Sequence, residues 1–397
     1  MTLANGRRLL AIPGPSAVPD AVLRAMHRAA PDIYQGELPD MMPGLVTDLR
    51  AVARTAGHVA IYIANGHGAW EAALANVLAP GDAVLVPATG RFGHGWAEMA
   101  AGLGAAPEVL DFGKRSAIDP AQVALRLSQD RAHRIRAVLA VHVDTSTGVR
   151  NDIAALRAVL DDLGHPALLM VDCIASLGSD PFEMDGWGAD VVVTASQKGL
   201  MTPPGLGLVF FNDRADARRG DLRVSRYWDW RPRARPEQFY QYFGGTAPTH
   251  HLYGLRAALD LMMAEGVEAI WQRHAVLARA VWAAFDAWGQ GGPLELNVPD
   301  PGQRSHAVTA VRTGGDLGAR LRQWTDERAG VTLGIGLGMV PPGDPGAGGF
   351  FRIGHMGHVN AHMVLGTLGA IQAGLVALDI PHGQGALEAA AQVCATA

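Results

Sequence analysis

Short, unbroken apolar runs alternating with helical stretches dominate the first two-thirds of the chain. Residues 59–64 form one run, Gly66-His67-Gly68 breaks it, and Ala69 to Leu78 then reads as a helix of good formers. A strand is expected at 83–87 after the Pro80-Gly81-Asp82 turn, and a helix at 96–103. Ile135 to His142 reads as a strand, and Asn151 to Leu163 as an amphipathic helix capped by Asn151 or Asp152. Ala167–Asp172, Asp190–Ala195 and Gly207–Phe211 are nearly all apolar. Such runs between helices predict a mostly parallel sheet covered on both faces. From residue 249 to about 289 the texture is helical, followed by strands near 305–312 and 349–353 and helices at 316–325 and 360–377. The expected architecture is α/β. A large domain with the N-terminal segment spans residues 1–265, and a smaller C-terminal α+β domain with a terminal helix spans 266–397. The Gly/Pro stretch Pro341–Gly349 reads as a surface loop.

Composition narrows the function. A chain of 397 residues suits two domains. Its 49% hydrophobic and 18% charged residues exclude global disorder. A net charge of −5 offers no basic excess for phosphate backbones, so no nucleic-acid partner is expected. No apolar stretch reaches the length of a membrane span. The apolar run after Arg7-Arg8 breaks at Pro13-Gly14-Pro15, short of a secretory leader, and a cytoplasmic location is expected. Cys173 and Cys394 alone make neither a disulfide framework nor a multi-cysteine metal site, and no metal is expected.

Of 33 basic residues only Lys114 and Lys198 are lysines. Arginine carries the charge elsewhere, so a retained lysine points to a need for an amine; a guanidinium stays protonated and forms no imine. Lys114 sits in the polar turn Gly113-Lys114-Arg115-Ser116 and reads as surface. Lys198 follows a buried strand, at the edge where open α/β sheets put their chemistry. Asp172 ends the apolar strand one crossover earlier. A carboxylate and an amine at one sheet edge suit pyridoxal phosphate: the amine holds the aldehyde as an imine, and the carboxylate keeps the pyridine nitrogen protonated. A structural ion pair is the alternative reading. Asn65-Gly66-His67-Gly68, ahead of a helix, offers free N–H groups to a phosphate; a plain turn is the alternative there. Gly334-Ile-Gly-Leu-Gly opens no strand–turn–helix unit, so no dinucleotide site is expected.

Seven segments then occur in order: Ile12-Pro-Gly-Pro-Ser16, Asn65-Gly-His-Gly-Ala-Trp-Glu71, Asp144-Thr-Ser-Thr-Gly148, Val171-Asp172, Ser196-Gln-Lys-Gly-Leu200 with Pro203-Pro-Gly205, Gly245-Thr-Ala-Pro248, and Phe351-Arg-Ile-Gly-His-Met-Gly357. Over nearly the whole chain this set resembles the class V, fold type I aminotransferases of the alanine/serine/aspartate–glyoxylate group. The resemblance implies pyridoxal 5'-phosphate as cofactor. It implies ping-pong transfer from a small amino acid (alanine, serine, aspartate or ureidoglycine class) to the oxo acid glyoxylate. Lys198 would be the imine lysine and base, Asp172 the partner of the pyridinium, Phe92 the ring stacked on the cofactor, and Thr145 a contact near the ring hydroxyl. Asn65, Gly66, His67 and Gln197 would surround the phosphate, with Thr246 arriving from the partner subunit of a homodimer. Arg352 would clamp the substrate carboxylate, with Gly14, Tyr34 and Gln35 completing the substrate site.

Some positions depart from the group. The N-terminal loop reads Asp32-Ile-Tyr-Gln-Gly-Glu37 where serine and aspartate relatives carry His-Arg-Ser, and Gln35 is similar to the ureidoglycine branch. Phe243 stands where many relatives have tyrosine, and Asn65 replaces a small hydroxyl residue. Leu337 stands where the pyridoxamine–pyruvate branch has an arginine. Alternatives are that branch, a lyase or desulfurase of the same fold, a non-catalytic cofactor-binding protein, and a nicotinamide oxidoreductase.

Overall fold

The computed structural model describes residues 2–220 and 222–397. Its strands, in chain order, are β1 (Leu9–Ala11), β2 (His58–Ala64), β3 (Ala83–Ala88), β4 (Ala106–Asp111), β5 (Ile135–Val141), β6 (Val143–Asp144), β7 (Val149–Arg150), β8 (Leu168–Asp172), β9 (Val191–Ala195), β10 (Gly205–Phe211), β11 (Glu295–Leu296), β12 (Val308–Arg312), β13 (Val331–Ile335) and β14 (Phe350–Gly354). The main sheet has the order β2-β10-β9-β8-β5-β3-β4. From β9 through β4 every pairing is parallel. Only β10 runs the other way, antiparallel to both β2 and β9. The expected mostly parallel α/β sheet is therefore present.

The apolar runs follow from burial on both faces. Successive side chains of a strand point to opposite sides. In β8, Leu169 and Val171 join an apolar cluster with Leu156 and Leu160 of the Ile153–Asp162 helix and Leu259 of the Thr249–Glu265 helix. Leu168 and Met170 join another, with Leu74 of the Gly66–Val77 helix and Trp96 of the Arg91–Gly102 helix. Each such buried aliphatic side chain contributes about 1.5–3 kcal/mol, so a polar residue anywhere in β8 before its end would be expensive.

The second sheet has the order β1-β13-β14-β12-β11. Its own apolar cluster centres on Phe285, Trp288, Phe351, Leu368 and Ile371. Strand β1 pairs with β13, so the start of the chain crosses to this sheet.

Some elements lie outside the apolar pattern. Strand β4 is the sheet's edge and has only exposed and half-buried positions, so it presents no apolar run. The Pro120–Gln129 helix does carry a start signal, Asp119 accepting from the Ala121 amide with Pro120 next in line. The Arg91–Gly102 helix begins ahead of the expected 96, because Asp144 and Ser146 side chains hold its first amides. Within Pro341–Gly349, Pro345–Gly349 forms a 3-10 turn, and Gly349 O accepts from Thr313 N at 2.8 Å. Among the described residues no helix is long and apolar enough to cross a membrane.

Candidate active site

The C-terminal edge of the main sheet gathers the reactive groups. Strand β8 ends on Asp172, and the loop from β9 to β10 carries Gln197 and Lys198. Ser196 pins that loop, its hydroxyl donating to Pro203 O at 2.7 Å and accepting from Leu206 N at 3.3 Å. The N-terminal segment latches onto it: Ser16 N donates to Gln197 O, and Ser16 Oγ to Lys198 O, both at 2.8 Å. The Lys198 amine donates to Pro13 O. Gly14 lies so close that a Cβ there would overlap this amine, and its φ is +108°. Glycine is thus required at position 14 for space and for backbone conformation.

Asp172 is buried at 3% exposure. Its Oδ1 accepts from the Ile174 amide at 2.6 Å and its Oδ2 from the Trp70 indole N–H at 2.9 Å. Burial pushes the carboxyl up to about 7 despite those two bonds. Burial pulls the Lys198 amine down to about 8; the Arg352 charge adds to this and the Asp172 charge opposes it.

Asp144, at the end of β6, is fully buried and accepts from the amides of Phe92 and Ser146, both at 2.9 Å. Burial raises its carboxyl above the usual range in spite of these bonds. The bond to Phe92 N fixes that residue in the first turn of its helix, with its ring edge-on to Trp70 at 6.3 Å. Thr145 is buried next to it, and Thr145 O accepts from Arg352 Nη1 at 2.7 Å. Arg352 Nε donates to Ile335 O at 2.7 Å, and Nη2 has no hydrogen-bond partner among the described residues. Burial lowers this guanidinium to about 10, so it stays cationic at neutral pH.

The Asn65 side chain caps the Gly66–Val77 helix, accepting from Gly68 N at 3.2 Å. The first-turn amides of Gly66 and His67 have no acceptor within an α-helix. A Cβ on Gly66 would collide with Ile174, which places this turn beside Asp172. The His67 ring meets Trp70 edge-on at 4.8 Å, and burial followed by the Arg91 charge holds it below the usual histidine range. A cavity of about 830 Å³ opens beside His67, Trp70 and Phe92 and reaches Lys114.

Lys198, Asp172, Gly14, Asn65, Gly66, His67, Phe92, Thr145, Gln197 and Arg352 therefore converge. Tyr34 (85% exposed), Gln35 and Thr246 do not: all three are exposed, and none has a hydrogen bond to this cluster among the described residues. Trp70 and Asp144 escaped the sequence reading, although both stand inside quoted segments; Trp70 is one helical turn after Gly66. Lys114, expected at the surface, is half-buried and donates to Met339 O at 2.9 Å, because the 337–342 segment folds over it.

Comparison with known proteins decides the family. Residues 48–341 match the family model "Aminotransferase class-V". The chain belongs to the class-V aminotransferases. This class-V aminotransferase is 37% identical over 383 residues to the serine–glyoxylate aminotransferase of Methylorubrum extorquens, a match covering 94% of this chain and 92% of that one. It is 36% identical to the L-aspartate–glyoxylate aminotransferase of Paracoccus denitrificans, over 96% and 94% of the two chains. The crystal structure of pyridoxamine–pyruvate aminotransferase from Mesorhizobium loti superposes with a TM-score of 0.88 at 28% identity, covering 100% of each chain.

The architecture is PLP fold type I, and pyridoxal 5'-phosphate is the cofactor of this class-V aminotransferase. The residues present fit that group. Gln197 Oε1 is buried with no hydrogen-bond partner among the described residues, and rotating the amide presents N–H donors instead. The open first-turn amides suit a phosphate. A buried carboxyl near 7 suits a cationic ring nitrogen, which would favour its ionised form.

Proposed function

We propose that the chain transfers an amino group from a small amino acid to glyoxylate, with Lys198, Asp172 and Arg352 as the groups that act on the substrate and cofactor. One observation carries the reading: the half-buried Lys198 amine, the buried Asp172 carboxyl and the buried Arg352 guanidinium, its Nη2 without a hydrogen-bond partner among the described residues, meet where the C-terminal edge of the main sheet faces β14 of the second. The glyoxylate specificity named for the relatives from Methylorubrum and Paracoccus supports the acceptor.

When bound, pyridoxal phosphate supplies a carbonyl for the amino group and a cationic ring that draws electrons from the substrate Cα. Asp172 would keep the ring nitrogen protonated, and the Trp70 indole steadies Asp172 through its Oδ2. Arg352, anchored on Thr145 O and Ile335 O, turns its remaining N–H donors to the substrate carboxylate, a planar two-pronged contact that lysine cannot copy. The Lys198 amine, partly neutral because burial lowers it to about 8, would take the proton from the substrate Cα and carry it as the general base of the transfer. Phe92 would provide a flat wall for the cofactor, and Thr145 a contact near its hydroxyl. Asn65, Gly66, His67 and Gln197 hold the phosphate. Gly14 leaves room for the amine to swing, and Tyr34 and Gln35 flank the substrate. Thr246, exposed in a single chain, fits a role in a partner's phosphate site, so a homodimer belongs to the proposal. A cytoplasmic location belongs to the proposal as well. Two separate apolar clusters support a two-domain division, the first running to Trp271 and the second resuming at Leu277 within one helix, a few residues beyond 265, with β1 reaching across.

Transfer is favoured over desulfuration. Cys173 is buried, and burial pushes its thiol well up, the opposite of what a nucleophile needs. The deciding experiment assays alanine, serine, aspartate, glycine and ureidoglycine as donors against glyoxylate, pyruvate and 2-oxoglutarate. Glyoxylate is the expected best acceptor; a clear preference for 2-oxoglutarate would overturn the reading.

A further inference from the structure

A buried carboxylate outside the reacting cluster ties the two sheets together. Asp180, in the turn-rich stretch after β8, has no exposed surface. Its Oδ2 accepts from Ser305 Oγ at 2.9 Å and its Oδ1 from His306 N at 2.8 Å. Arg150 Nη1 stands 3.7 Å from Oδ1. Ser305 Oγ in turn accepts from Ala307 N at 2.9 Å, and Ser305 N donates to Gly148 O at 3.0 Å. One carboxylate of the main-sheet unit thus organises the segment leading directly into β12.

That segment controls Arg352 by two routes. Strand β12 pairs antiparallel with β14, and Ala310 stands opposite Arg352. His355, just beyond β14, donates from Nδ1 to His306 O at 2.8 Å and from its backbone N to Ala307 O at 3.0 Å. Its Nε2 meets Thr309 Oγ1 at 2.9 Å. Burial keeps His142, His306 and His355 below their usual range, so Arg150 is the lasting cation of the group. The apolar contact at this seam is small: Val143 and Ala175 against Ala307, Val308 and Met356. Apolar contact is non-directional and tolerates sliding, whereas hydrogen bonds to a buried carboxylate do not.

We infer that Asp180 is a positioning residue for Arg352: by holding residues 305–307 against the main sheet it fixes β12 and β14, and with them the guanidinium, relative to Asp172 and Lys198. The inference rests on the reading of Arg352 as the carboxylate clamp. Single-turnover transfer from the best donor of the panel above, followed by cofactor absorbance, separates substrate affinity from maximal rate. Asp180→Asn should weaken affinity about tenfold and change the maximal rate less than about threefold, with cofactor loading intact. Ser305→Ala should weaken affinity less, about threefold. In an Arg352→Gln background Asp180→Asn should add nothing, since both act through one contact. Unchanged affinity in loaded Asp180→Asn, or a further full loss in the Arg352→Gln background, overturns the inference. Should Asp180→Asn fail to fold, Ser305→Ala decides by the same two criteria. Normal affinity in Arg352→Gln removes the clamp reading itself, and this inference with it. Lost affinity in Arg352→Gln beside normal affinity in Asp180→Asn removes the inference alone.

Discussion

The proposed chemistry depends on what burial does to single groups. An exposed lysine is cationic at neutral pH and slow to attack a carbonyl; Lys198, down to about 8, is partly neutral there. Capture of pyridoxal phosphate by cofactor-free enzyme needs the neutral amine, so its rate should rise with pH, be half-maximal near pH 8 and level off above about pH 9. Stopped-flow absorbance reads this directly; a midpoint near the ordinary 10.5 would show that the amine is solvated. Lys198 was legible because lysine is scarce in this chain and because the residues around it form a motif. Trp70 and Asp144 were not, because what marks them is a partner remote in sequence: Asp172 for the indole, Phe92 N for the carboxylate. Lys114 was misread for the same reason, its acceptor being Met339 O.

Helix starts and strand ends place these groups. The Gly66–Val77 helix owes its first turn to the Asn65 cap, and the open amides beyond it face the proposed phosphate position. Asn65→Ala should cost about 1 kcal/mol of stability and also weaken cofactor affinity, because the turn that presents those amides loosens. Thermal unfolding with and without pyridoxal phosphate separates the two effects; equal losses in both conditions would confine Asn65 to capping. Apolar strands buried on two faces were legible from the sequence, as β8 and β9 show. Edge strand β4 was not, since an edge needs little apolar surface and its position depends on its neighbour β3.

At the scale of the whole molecule, the site is built between two sheets and, in the proposal, between two subunits. Arg352 comes from β14, Asp172 and Lys198 from the main sheet, and Gly14 from the segment that crosses between them. The exposure of Thr246 turns the dimer proposal into a complementation test. Lys198→Ala and a bulky Thr246→Trp should each be inactive. Refolded together at equal amounts they should recover about a quarter of the sites, because half the dimers are mixed and each carries one intact site. No recovery would mean that Thr246 does not act across the interface.

The order of apolar runs and the spacing of the motifs determined, without any coordinates, an α/β sheet with an amine and a carboxylate on its active edge. Those features are local: they follow from alternation along a strand and from residues next to one another in the chain. Tertiary structure alone decided that β1 joins the second sheet, that Trp70 donates to Asp172, and that Asp180 links β8 to the segment before β12. Each of these joins residues far apart in sequence, and a buried polar group takes whichever partner the packed chain brings within reach.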